Sequence, residues 1–264
     1  MSEIDQGIYA KALKKWVNLG IIDLQDSILV TCGGQYDASV FSQVGFKEVT
    51  ISNLDDRMVG TEYDNFGYAW SRQNCEEMTY SAGTFDWVIV HSGLHHCYSP
   101  HRAFTEMLRV CRKGAIAFES SDNALMRLGK RFGLAGDYEI EAVIGNGLTH
   151  GGVQNSEIPN FIYRWTEQEV AKTTNSFWPE SQNEFWFYYN LQLPTERLSM
   201  HKNPIKRLLS TFVALFLRIF TWIFPKQANE FAFLVRRQQP QRWIRHTEDG
   251  WSLDTAYVKQ RFHI

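Results

Sequence analysis

Two stretches limit what this chain can become: SILVTCGGQYDASVFSQVGFKEVTISNLDD (Ser27 to Asp56) and GTFDWVIVHSGLHHCYSPHRAFTEMLRVCRKGAIAFES (Gly83 to Ser120). Each alternates a short apolar run, a polar or Gly-rich break, a helix-length segment and another apolar run. Four-to-six-residue apolar runs separated by helical segments build a parallel sheet with helices on its faces. Ligands of such sheets collect beyond the carboxyl ends of the strands, where the strand order reverses. Cys32-Gly33-Gly34, Asn53 to Asp55 and His91 to His96 are therefore expected at one pocket.

The remaining elements follow from local pattern. The spacing predicts an entry helix over Ile8 to Leu19, strands over Ile28 to Thr31, Val49 to Ser52, Phe85 to Val90 and Ala115 to Glu119, and helices over Ala38 to Val44, Pro100 to Val110 and Ala124 to Phe132. A weak strand is expected within Trp70 to Met78, after an irregular segment from Arg57 to Ser71. Ile144 to Ile158 reads as a long loop, and Thr166 with Glu169 as a capping box opening a helix to Thr174. Phe185 to Leu193 and Phe231 to Val235 read as the last strands. Between them, Lys206, Arg207, Ser210, Thr211, Arg218 and Thr221 fall on one arc of a helix whose other side carries the ladder Phe212, Phe216, Phe220 and Phe224. Arg218 near the middle argues against a spanning helix, leaving the core, a partner or a membrane interface to cover its apolar side.

The net charge of −2 conceals an asymmetry. Residues 1–196 carry 15 Lys+Arg against 25 Asp+Glu, and residues 197–264 carry 12 against 4. The basic end suits the acidic body itself or an anionic surface, while the acidic body disfavours nucleic acid. Cys32, Cys75, Cys97 and Cys111 show no paired spacing, and no leader-like segment opens the sequence, so a reduced, cytoplasmic setting is expected, with membrane association open.

The block FDWVIVHSGLHHCYSPHRAFTEMLRVCRKGAIAF, together with the Gly-rich turn after the first strand, resembles the class I S-adenosylmethionine-dependent methyltransferases of the type 11-like group. The resemblance implies an α/β fold: a doubly wound, Rossmann-like, mostly parallel seven-stranded sheet with an antiparallel last strand. It covers roughly Ser27 to Arg237, within a domain expected over 1–238 that holds an inserted amphipathic helix at 198–226 and is followed by a basic tail at 239–264. It also implies S-adenosyl-L-methionine bound by Cys32, Gly33, Gly34, Asp37, Asn53, Asp55, Asn74, Cys75 and His91. The turn would approach the aminocarboxylate, Asn53 or Asp55 the ribose, and Asn74-Cys75 the adenine. The chain departs from the family pattern at Val30, Cys32 and Tyr36, which stand where an acid and two glycines are usual; Asp37 is the substitute carboxylate.

Methyl transfer from a sulfonium is an in-line displacement that needs a base only where the acceptor must lose a proton. His96, His91 and His150 are the candidate bases. The acceptor is expected to be a small molecule or a glycan or lipid intermediate methylated on oxygen, with the loop after the fifth strand as its lid and an anionic membrane as a possible contact. The other reading is a non-catalytic scaffold of the same fold. No metal site is expected, because the consecutive residues His95, His96 and Cys97 cannot readily converge on one ion.

Overall fold

The computed structural model describes residues 7–56, 66–193, 204–248 and 250–264, with the side chains of 204–207, 209 and 210 outside that description. Seven strands form one sheet: β1 (Ile28–Thr31), β2 (Val49–Asn53), β3 (Ala69–Arg72), β4 (Phe85–His91), β5 (Cys111–Ser120), β6 (Ser181–Asn190) and β7 (Glu230–Pro240). Their order is β3-β2-β1-β4-β5-β7-β6. β1 to β5 pair in parallel, and β7 runs antiparallel to both β5 and β6. The order reverses between β1 and β4, and that is where the expected pocket residues converge.

The central strands explain themselves. All four residues of β1 are buried, as are Trp87 to Val90 of β4, because both sheet faces are covered. One face packs Trp87, Ile89, Ile116 and Leu234 under α1 (Ile8–Asn18) and α2 (Gln35–Val44). The other packs Val88, Val90, Ala115, Phe231 and Phe233 under α3 (Pro100–Val110) and α6 (Glu167–Phe177). Between these helices in sequence lie α4 (Ala124–Arg131) and α5 (Ile140–Gly145). The Ser99 hydroxyl accepts the Arg102 N–H, and Pro100 supplies the first helical residue, so α3 starts where the sequence places it. The Thr166–Glu169 capping box forms at the head of α6.

Several elements differ from expectation. Helix α5 and a 3-10 turn at Val153–Asn155 interrupt the segment read as a loop, and β5 begins at Cys111, four residues early. The basic tail is not extended: β8 (Ile244–Thr247) and β9 (Gly250–Leu253) pair as a hairpin, followed by α8 (Thr255–Phe262). The irregular segment from Arg57 was read through Ser71; 57–65 lie outside the described residues, and Ala69 to Ser71 belong to β3.

Helix α7 (Pro204–Ile223) sits in the β6–β7 connection; 198–203 of the expected insert, Lys202 among them, and the side chains of Lys206, Arg207 and Ser210 lie outside the described residues. Its orientation corrects the simple amphipathic picture. Thr221 is buried, its hydroxyl donating to the Leu217 carbonyl, whereas Phe212, Phe216 and Phe224 of the ladder are exposed. Leu215, Ile219, Ile223 and Trp222, the last 83% exposed, add to that surface. A threonine can be buried because its hydroxyl bonds back into the helix. The apolar ladder is left without cover from the described residues.

Candidate active site

Four loops meet at the carboxyl edge of β1, β2, β3 and β4 around a cavity of about 210 Å³. Cys32 lines it from the turn after β1, Asn53 and Leu54 from the end of β2, Gln73, Asn74 and Cys75 from the loop after β3, and Ser92, Gly93, His96 and Cys97 from the loop after β4. Gly151, Gly152, Gln154 and Asn155 close it from above.

The turn after β1 holds its shape without the usual first glycine. Cys32 takes that position with φ of 53°, a left-handed conformation uncommon for a side-chain-bearing residue. Its Sγ donates to Cys75 Sγ at 3.3 Å, and Cys75 Sγ lies 3.1 Å from Cys97 Sγ, so three loops join through thiols. The hydrogen bond from Cys32 holds Cys75 below the ordinary thiol range and pushes Cys32 up; the contact with Cys32 likewise raises Cys97. Gly93 is required opposite: a Cβ there would stand 2.5 Å from Cys32 Cβ and 2.8 Å from Val90 Cγ2. Asn53 braces the turn, its Nδ2 donating to the Gly33 carbonyl at 2.9 Å.

Asp55 lies at the rim, where its Oδ2 accepts from Asn155 Nδ2 at 2.6 Å. Gln154 donates to Glu76, whose carboxylate also accepts the Tyr98 and Ser99 N–H groups. The loop expected to cover the acceptor is thus hydrogen-bonded to the β2 and β3 side of the cavity. Gln154 and Asn155 both have positive φ (49° and 55°).

The histidines separate. His96 lines the cavity, with Nδ1 3.4 Å from the Gly152 carbonyl and Nε2 3.4 Å from Glu139 Oε2; burial lowers its pKa, so the ring is neutral near pH 7. His91 does not line the cavity. It stacks on Tyr9 of α1 (centroids 4.5 Å apart, planes 2° apart), and burial depresses its pKa to about 4. The cause is parity: His91 shares the strand face of Trp87 and Ile89, which is the face under α1. His150 hydrogen-bonds Thr149 Oγ1 at 2.8 Å and is absent from the lining, although its neighbour Gly151 contributes.

Gly33, Gly34 and Asp37 also stand beside the cavity rather than in its wall. Asp37 Oδ2 accepts the Gly34 N–H at 2.9 Å. Its carboxyl is buried beside the Tyr9 hydroxyl, and burial raises the Asp37 pKa to about 6. Tyr36, which stands where the family pattern has a glycine, packs near Tyr9 and His91 and does not line the cavity.

Sequence reasoning missed a polar cluster behind His96. His95 is buried with Nδ1 2.5 Å from Glu119 Oε2 and Nε2 3.2 Å from Glu139 Oε2. Burial alone would lower its pKa, but the two carboxylates outweigh it and hold it at about 10. The hydrogen bond from His95 keeps Glu139 at about 2. Glu119 Oε1 accepts the N–H groups of Gly93 and Leu94, fixing the loop that forms the cavity wall. The acids at 119 and 139 carry no local motif, and only the fold brings them to the two histidines.

Residues 28–118 match a protein family described as a methyltransferase domain. Among solved structures, YcgJ from Bacillus subtilis superposes with a TM-score of 0.51 at 10% identity, covering 88% of this chain and 98% of that one. The PH0226 protein from Pyrococcus horikoshii OT3 gives 0.50 at 12% identity, over 89% and 94%. Magnesium protoporphyrin IX methyltransferase from Synechocystis PCC 6803 gives 0.49 at 12%, over 87% and 82%. No curated protein sequence matches the chain. The first two of these likenesses bear on the fold alone.

S-adenosylmethionine suits the residues present. The buried Asp37 carboxyl, beside the Tyr9 hydroxyl, is a group that an ammonium would suit. Gly93, where a side chain would collide, keeps the cavity open beside Cys32. Residues 28–118, with the strand reversal between β1 and β4, are thus similar to a methyltransferase domain.

Proposed function

We propose that the chain methylates an oxygen of a small-molecule acceptor, or of a glycan or lipid-linked one, at the cavity between Cys32 and His96, while resting on an anionic membrane surface. The observation that carries the first part is the His96 imidazole in the wall of a cavity at the strand reversal, its pKa lowered by burial. A hydroxyl acceptor has a proton to lose, and His96 is the candidate base that reaches this wall. The cofactor supplies a methyl group on a sulfonium. Asp55 and Asn53 would meet the ribose side, Asn74 and Cys75 the adenine side, and Asp37 the ammonium. The Gln154–Asn155 loop would exclude water, its bonds to Glu76 and Asp55 keeping it over the cavity.

Isothermal titration tests this. The full chain is expected to bind S-adenosylmethionine and its demethylated product, and Asp55→Ala to weaken both by about 10-fold or more, the loss of charged hydrogen bonds. No heat at millimolar cofactor would leave the non-catalytic scaffold, a reading favoured by Cys32 in place of a glycine and by the Tyr9–His91 stack filling space beside the turn.

The membrane part rests on α7. None of the described helices is long and apolar enough to cross a bilayer. The exposed Phe212, Phe216, Ile219, Trp222 and Phe224 nevertheless present an apolar surface, with Arg218 and Lys226 exposed beside it. Such a combination lies in an interface plane and is drawn to anionic lipid. Flotation with vesicles containing phosphatidylserine should carry the wild type upward, and replacing Phe212, Phe216 and Trp222 by Ser should abolish it without changing the unfolding midpoint. A wild type that stays at the bottom of the gradient removes the membrane contact.

A further inference from the structure

We propose that His95, His96 and Glu139 form a divalent-cation site of the zinc type at the back of the methyl-transfer cavity. The ligand atoms already converge: His95 Nε2 is 3.2 Å and His96 Nε2 3.4 Å from Glu139 Oε2, and one ligand atom from each of the three residues lies within 4.8 Å of the others. A tetrahedral ion with bonds of about 2.0–2.1 Å to nitrogen and oxygen has ligand edges of about 3.4 Å. The two edges that meet at Glu139 are close to that length, and the third lies within 4.8 Å.

The surroundings strengthen the assignment. His95 Nδ1 is engaged by Glu119, a carboxylate buried behind the ring and fixed by two backbone N–H groups. A carboxylate on the far nitrogen of a ligating imidazole orients the ring and raises its basicity, an arrangement typical of protein zinc sites. Two histidines and one glutamate leave one coordination position open, as in hydrolytic zinc sites. His96 lines the cavity at the strand reversal, and His95 lines a neighbouring cavity with Asn160 and Tyr163, so the open position has room for an acceptor.

This deepens the function proposed above and rests on it. An acceptor oxygen bound at the open position would ionise more readily, so the cation would do the work otherwise given to the free His96 ring. His96 then acts as a ligand, and the remaining residues keep the parts already described. The neighbouring thiols of Cys32, Cys75 and Cys97 are the competing site for a soft ion, but their 3.1–3.3 Å separations fall short of the edge of about 3.8 Å that zinc–sulfur bonds of about 2.3 Å require.

Co²⁺ titration of the full-length reduced protein, followed by visible and near-ultraviolet absorption, separates these sites. The expected result is one Co²⁺ per chain with ligand-field bands of nitrogen and oxygen donors and no thiolate charge-transfer band. Glu139→Ala and His96→Ala should each weaken uptake by about 100-fold, Glu119→Gln by about 10-fold, and Cys97→Ser should leave it unchanged. His95→Ala is unsuitable, because it strands the buried Glu119. No uptake by the wild type, or a thiolate band that disappears in Cys97→Ser, overturns the proposal. Calorimetry with S-adenosylmethionine on Glu139→Ala keeps the two readings apart: unchanged cofactor binding with lost Co²⁺ leaves methyl transfer standing, whereas a wild type that takes Co²⁺ but no cofactor overturns the functional reading alone.

Discussion

Asp37→Asn should stabilise the cofactor-free protein at pH 7 and at the same time weaken its hold on S-adenosylmethionine. The carboxyl is buried and its pKa is raised to about 6 from 3.8, so the folded state prefers it protonated. A carboxyl raised on folding contributes stability in its neutral form, and that contribution fades as pH climbs from about 4 through about 6. At 1.36 kcal/mol per pH unit the difference approaches about 3 kcal/mol by pH 7. Asparagine keeps the oxygen that accepts the Gly34 N–H and removes the charge. The wild type should therefore lose stability between pH 4 and pH 7 in chemical denaturation, and the variant should show a flatter profile. An ammonium placed against Asp37 would relieve the same strain, so the variant should bind S-adenosylmethionine about 10- to 100-fold more weakly, the scale of a lost charged hydrogen bond. Unchanged affinity would put the aminocarboxylate somewhere else.

Glu119→Ala carries the second large effect, about 3–5 kcal/mol of lost stability, as when one member of a buried ion pair is removed. The Glu119 side chain is fully buried and serves three donors at once: the N–H groups of Gly93 and Leu94 and the His95 ring. Removing it leaves both amides buried without their acceptor and the ring with Glu139 alone. Glu139→Ala provides the comparison. That side chain is one-third exposed, so its loss should cost about 1 kcal/mol after solvent screening. Urea midpoints of the two variants decide the matter; equal, small shifts would mean that the Gly93–Leu94 turn is held by something other than Glu119.

The contrast between these residues also shows what the sequence makes legible. β1, β4 and α3 were readable because their evidence is local: fully apolar runs, and a Ser-Pro start for the helix. Cys32, Asn53, Asn74, Cys75 and His96 were placed at strand ends by the same logic, and the fold gathers them at one cavity. His91 lies under α1 instead, a placement that follows from strand parity counted from the apolar Trp87 and Ile89. Glu119, Glu139 and the Cys32–Cys75–Cys97 contact depend on residues between 22 and 44 positions apart meeting in space, and nothing local marks them. The β8–β9 hairpin escaped because its strands have only four residues each and its apolar members, Trp251 and Leu253, are substantially exposed.

The β6–β7 connection has a consequence for how this protein could change over time. Asn190 and Glu230 are paired neighbours in adjacent antiparallel strands, so the chain that leaves one strand returns beside it. Whatever is spliced between those two positions begins and ends at the same spot on the sheet and has no influence on strand order. A targeting element stored there could be lengthened, exchanged or trimmed to a tight turn by evolution, while the catalytic edge on the far strands goes on working undisturbed.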